Sequence, residues 1–141
     1  MKYTRISAAL RREVRERAGK RCEYCLLAES QAFFPHEPDH LIALKHGGTT
    51  IAANLALACF NCNRFKGSDI ASVDPRSGEL VALFNPRKHE WREHFCLQGG
   101  LITPLTSVGR VTVNLLQLNL SDRVEIRRRL AAIGEYPLNG P

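Results

Sequence analysis

A chain of 141 residues is long enough for one domain with a core of its own, and 44% hydrophobic with 24% charged residues is the balance of a globular protein, not of a disordered or fibrous one. No apolar run approaches the roughly 20 residues a membrane helix needs, and Met1–Arg5 is not followed by the apolar core of a signal peptide, so the expected compartment is the cytoplasm. The formal charge of +6 favours a polyanionic partner such as nucleic acid.

In chain order, Ser7 is placed to cap a helix. Ile6, Leu10 and Val14 recur at four-residue spacing as its apolar stripe, and Gly19 ends it. Basic residues cluster here (Arg11, Arg12, Arg15, Arg17, Lys20, Arg21) and again at Arg123, Arg127, Arg128 and Arg129; the simplest reading is two solvated helix faces. Cys22-Glu23-Tyr24-Cys25 is a tight turn, and Pro35 and Pro38 exclude a helix between them. Asp39–Ile42 reads as a short strand, Gly47–Thr50 as a loop and Leu55–Cys59 as the returning strand. A short helix is expected from about Asn63, which completes a ββα unit.

The second half is expected to hold a strand over Glu79–Phe84, a helical stretch over Glu90–Phe95 and a break at Gly99-Gly100. A strand over Leu101–Leu105 follows, then a helix carrying Val111, Leu115 and Leu118. Ser121-Asp122 would cap a last helix with Val124, Ile126, Leu130 and Ile133 on its buried side, before a frayed tail at Pro137–Pro141.

Five cysteines in a chain without a signal peptide point to metal, not to disulfides. Cys22-x2-Cys25 and Cys59-x2-Cys62 are two knuckles, and a two-residue spacer lets two thiolates of one turn reach the same ion. Two such turns complete a tetrahedral zinc site without water, which is structural, not catalytic. Redox-active or plain buried thiols are the competing reading, and zinc is favoured because both pairs are present. Cys96, near Trp91 and Phe95, reads as a small buried hydrophobe.

Between and beside the knuckles stand Asp39, His40, Asn54 and Asn63. Imidazole, with an ordinary pKa near neutrality, suits a general base, and the oxygens of Asp and Asn are hard ligands suited to magnesium. Taken singly, Asp39 could merely begin a strand, His40 could be a core histidine, Asn54 a turn residue and Asn63 a helix cap. Adjacent strand residues point to opposite faces, which is an obstacle if Asp39 and His40 serve one phosphate. His36 and His46 read as surface or outer-sphere histidines. Arg64 and Lys66 could hold phosphates or form a solvated helix face.

The run Cys22-x2-Cys25, Asp39-His40-Leu41-Ile42, Gly47-Gly48, Asn54-Leu55, Cys59-x2-Cys62-Asn63 and Lys66-Gly67 resembles the HNH endonuclease family in its zinc-stapled ββα-metal form. The flanking Leu83–Arg87, Trp91 and Glu93-His94-Phe95 resemble those of short stand-alone bacterial members. The resemblance implies an α+β fold in one domain: an HNH core over about residues 20–70 stapled by a four-cysteine zinc site, with an N-terminal helix and a strand/helix extension over about 71–136. It implies hydrolysis of DNA phosphodiester bonds, His40 as base, Asp39 and Asn63 as ligands of a catalytic magnesium (manganese as the alternative), and Asn54 pinning the catalytic loop and orienting His40. The competing function is a non-catalytic zinc module that binds nucleic acid.

Overall fold

The computed structural model describes residues 5–141; Met1 to Thr4, part of the N-terminal segment read above, lie outside the described residues. The first helix, α1 (Ala8–Arg17), starts where Ser7 was placed to cap it: its hydroxyl accepts the Leu10 N–H at 3.1 Å, and Gly19 follows the helix at φ +65. Ile6, Leu10 and Val14 pack on Leu55 and Leu57 in a small cluster of their own. The expected stripe therefore buries against the returning strand.

That strand, β2 (Leu55–Ala58), pairs antiparallel with β1 (Glu37–His40), with Asp39 opposite Ala56 and His40 opposite Leu55. The first strand starts two residues earlier than expected, at Glu37, and ends at His40 instead of Ile42. Pro38 is no obstacle to strand pairing here, since a proline lacks only its N–H and remains tolerated where that donor is not needed. The helix α2 (Phe60–Lys66) also starts earlier than expected. Its cap is Cys59, whose sulfur accepts the Cys62 N–H at 3.4 Å. Asn63 is consequently an interior helix residue and not a cap.

The remainder adds two further antiparallel pairs, β3 (Ala71–Val73) with β4 (Leu80–Ala82) and β5 (Phe95–Gln98) with β6 (Leu101–Pro104). Between them lies the single turn α3 (Trp91–His94), and after them α4 (Ser107–Leu115) and α5 (Ser121–Ala132). Phe95, expected at the end of a helix, begins a strand, and the Gly99-Gly100 break is the turn of the β5–β6 hairpin. The fold is α+β, and the main core runs from the cysteine knuckles through Ala56 and Ala58 to Leu83, Phe84, Phe95, Ile102, Val111, Leu116 and Leu118.

The last helix corrects the sequence reading. Ser121 does not cap α5; it is its first residue, after Leu120. Ile126 and Ile133 are 51% and 71% exposed, whereas Arg123 and Arg127 are 8% and 2% exposed. The inward face of α5 is thus built from arginines four residues apart, which find carbonyl and sulfur acceptors that no apolar side chain could use. Among the described residues, no helix is long and apolar enough to cross a membrane.

Candidate functional site

The cysteine knuckles come together in the fold. All four Sγ atoms lie within 4.8 Å of one another, buried, with Cys25 and Cys59 3.7 Å apart. Four thiolates at about 2.3 Å from a tetrahedral zinc stand about 3.8 Å from each other, so the cluster has the dimensions of a zinc site. In each knuckle the first sulfur also accepts the backbone N–H of the second cysteine, at 3.5 Å for Cys22 and 3.4 Å for Cys59. Burial pushes the Cys22 and Cys62 thiols well up, while hydrogen bonds from Cys22, Cys59 and Cys62 pull Cys25 down. A cluster of this kind requires a cation before all four sulfurs can be thiolates. The residues present therefore fit a closed structural zinc. Among the described residues, no other group of three or more His, Cys, Asp or Glu comes close enough to hold an ion.

The ββα unit rests on this staple. The loop between its strands is closed by Asn54, whose Oδ1 accepts the Ile42 N–H at 3.0 Å and whose Nδ2 donates to the carbonyls of Ile42 (3.0 Å) and Thr49 (2.8 Å). Its own carbonyl accepts the Leu41 N–H at 2.9 Å. Gly48 packs so tightly there that a Cβ would overlap the Ile42 carbonyl. The clamp fixes Thr49 and so Thr50, and Thr50 Oγ1 lies 3.0 Å from His40 Nε2. With Nε2 engaged, Nδ1 is the ring nitrogen left to take a proton.

Asp39 points the other way, as strand alternation requires. It is 6% exposed, and its Oδ2 accepts the Tyr24 hydroxyl at 3.1 Å and pairs with Lys66 Nζ at 3.0 Å. Burial raises the Asp39 carboxyl, and Lys66 and Tyr24 pull it back part of the way. Tyr24 is pushed well up by burial and by the adjacent carboxylate. Lys66 Nζ also donates to the His40 carbonyl at 3.1 Å. The end of α2 and the end of β1 therefore meet at one ammonium, and through it Asp39 and His40 are linked although their side chains diverge.

Lys66 departs from the surface role expected of it. Its side chain is 3% exposed and committed to Asp39, so it belongs to the interior of the site and not to a phosphate-facing surface. Arg64 is exposed on the same helix and makes no ion pair among the described residues. Asn63 is half-buried one turn before Lys66; its backbone N–H donates to the Cys59 carbonyl at 3.0 Å, and its side-chain amide makes no hydrogen bond among the described residues. His46 is exposed as expected, but His36 is a core residue: it is 0% exposed, with Nε2 2.9 Å from the Leu27 carbonyl. Cys96 is half-buried on β5.

Several contributors were not visible in the sequence. Tyr24 sits inside the first knuckle, where it reads as spacer; Thr50 is one of two threonines in a loop. Phe33 (94% exposed), Phe34 and Phe60 form an exposed aromatic row, with centroids 5.0 and 4.7 Å apart, ending one turn before Asn63. Of the basic clusters, Arg11 pairs with Glu37, Arg15 with Glu29, and Arg128 and Arg129 with Glu125, while Arg123 and Arg127 are buried. The expectation of two solvated helix faces is corrected at Arg123 and Arg127; Arg12, Arg17, Lys20, Arg128 and Arg129 are exposed.

In comparisons with known proteins, residues 22–69 match the family model described as HNH endonuclease. The match spans both cysteine knuckles, β1, β2 and α2. Neither the curated proteins nor the solved structures yield a match to the chain.

Proposed function

We propose that this protein, whose residues 22–69 match the HNH endonuclease family model, is a metal-dependent nuclease that hydrolyses DNA phosphodiester bonds. The observation that carries the reading is the Asn54–Thr49/Thr50–His40 arrangement, in which a clamped loop holds one nitrogen of a strand-end imidazole and leaves the other free. His40 Nδ1 takes the proton of the attacking water as general base. Asn54 and Thr50 position it. Both contacts of Asp39 fall on Oδ2, so Oδ1 would be the oxygen left for a divalent ion, with the Asn63 amide oxygen as the second donor that would hold it. Magnesium suits two hard oxygen donors, with manganese the alternative. Such an ion neutralises charge on the phosphate and the leaving oxygen.

Arg64 and the aromatic row of Phe33, Phe34 and Phe60 flank Asn63 and are the surfaces offered to backbone and bases. A four-thiolate zinc site with an unpaired Cys96 suits the reducing cytoplasm. One observation favours the competing function, a non-catalytic zinc module binding nucleic acid: Asp39 already has a cation in Lys66. A plasmid nicking assay separates the two. Supercoiled DNA is expected to be nicked with magnesium and left intact when magnesium is omitted, with zinc content constant in both. Binding without nicking across magnesium and manganese concentrations would leave the zinc module as the function.

A further inference from the structure

Arg123 is a buried cation whose anionic partner is not a carboxylate. One guanidinium nitrogen donates to the Leu116 and Gln117 carbonyls at 2.8 and 3.0 Å. A second, Nη2, lies 3.0 Å from Cys62 Sγ and 3.8 Å from Cys59 Sγ. No Asp or Glu forms an ion pair with it among the described residues. Carbonyl dipoles alone leave a buried guanidinium uncompensated, which is costly. Four thiolates around a zinc dication carry two net negative charges, and the second knuckle presents part of that charge to Arg123.

We infer that Arg123 is the charge partner of the zinc tetrathiolate, so that metal loading and the docking of α5 are one coupled event. The balance is local. With zinc bound, the guanidinium neutralises about half of the site's net charge and its N–H groups bond sulfurs that would otherwise be more basic and more easily lost from the metal. Without zinc the four sulfurs are no longer gathered into one anionic complex, while Arg123 keeps its burial.

Two further bonds tie the C-terminal half to the first knuckle: the Tyr136 hydroxyl donates to the Cys25 carbonyl at 2.7 Å, and Trp91 Nε1 donates to the Tyr24 carbonyl at 2.9 Å. The neighbouring Arg127 donates to the Gly100 and Leu118 carbonyls at 2.8 and 2.6 Å, and Gly100 lies too close to the α5 backbone for any Cβ. The helix is therefore fixed at one end of its buried face by the β5–β6 turn and at the other by the metal site. This coupling concerns the zinc site alone and stands whether or not the protein cuts DNA.

The test follows zinc release from the full-length loaded protein to a chromophoric chelator, with the absorption spectrum of the cobalt-substituted protein. Arg123→Gln should release zinc roughly tenfold to a hundredfold faster than wild type, and its thiolate-to-cobalt charge-transfer band should move to lower energy. Arg123→Lys, which keeps the charge but not the two-armed donor, should fall between, and it carries the test if Arg123→Gln does not fold. Arg128→Gln, an exposed arginine of the same helix paired with Glu125, should match wild type in both. In wild type, amide exchange across residues 121–132 should rise with the time course of zinc release. A release rate and cobalt spectrum equal to wild type in a folded Arg123 variant would overturn the inference, as would an α5 that stays protected in metal-free protein. Wild-type protein that binds no zinc at all would remove the zinc assignment along with it.

Discussion

Replacing Lys66 with methionine removes the ammonium that holds Asp39 while keeping most of the aliphatic stem that fills its place. The two groups are 3% and 6% exposed and 3.0 Å apart, so the deletion leaves a carboxylate nearly out of water with the Tyr24 hydroxyl as its remaining partner. Removing one member of a buried pair costs about 3–5 kcal/mol, and the Tyr24 bond places the expectation near about 3 kcal/mol. For a chain of this size that lowers the melting temperature by roughly 10 °C. The loss depends on pH with a defined sign. Burial already raises the folded-state pKa of Asp39 above its ordinary 3.8, and Lys66 opposes this, so the variant's Asp39 must lie higher still. An acid raised in the folded state favours folding when protonated and disfavours it when ionised. The gap between variant and wild type should therefore be smallest near pH 4, widen as pH rises through the wild-type Asp39 pKa, and level off above that of the variant. Urea unfolding at several pH values with zinc present measures it, and Lys66→Met combined with Asp39→Asn should recover part of the loss. A Lys66→Met protein within about 0.5 kcal/mol of wild type at neutral pH, the range of ordinary surface substitutions, would refute the ion-pair argument.

Three more outcomes follow from the same geometry. Cys59→Ser removes both a ligand and the cap of α2; the protein should lose its zinc and its cooperative unfolding, and a folded, zinc-loaded variant seen by elemental analysis and circular dichroism would contradict the staple. Thr50→Val removes the hydroxyl beside His40 Nε2 and should lower kcat by about tenfold to a hundredfold with little change in KM, whereas an unchanged kcat would exclude Thr50 from positioning. Affinity for duplex DNA should fall steeply with salt, and Arg64→Ala should reduce the slope of log affinity against log salt by about one; an unchanged slope would place Arg64 away from the phosphates.

Much of the first half was legible because its signals are local. The Ser7 cap, the Ile6, Leu10 and Val14 stripe and the paired knuckles each act within a few residues, and the structure places them as read. The start of α2, expected at about Asn63, was misplaced because a cysteine sulfur, at Cys59, does the capping. The interior of α5 was illegible for a different reason. Apolar periodicity counts arginine as polar, so the true inward face, Arg123 and Arg127, was read as solvent-facing and Ile126 as core. Only the distant acceptors at Cys62, Leu116 and Gly100 make that face an inside one. In the site itself, the alternation of Asp39 and His40 was foreseen, but its bridge was not: Lys66 looked like a phosphate-binding surface lysine, and nothing local ties it to residue 39.

The central claim is that His40 is the base of a metal-dependent nuclease, and a magnesium titration of nicking rate for wild type, His40→Ala and Asp39→Ala tests it most directly. Wild type should nick in a magnesium-dependent way. Folded, zinc-loaded His40→Ala should lose about 10²–10⁴ in rate at every magnesium concentration, while Asp39→Ala should recover part of its activity as magnesium rises. Nicking at the wild-type rate by a folded His40→Ala protein would contradict the account.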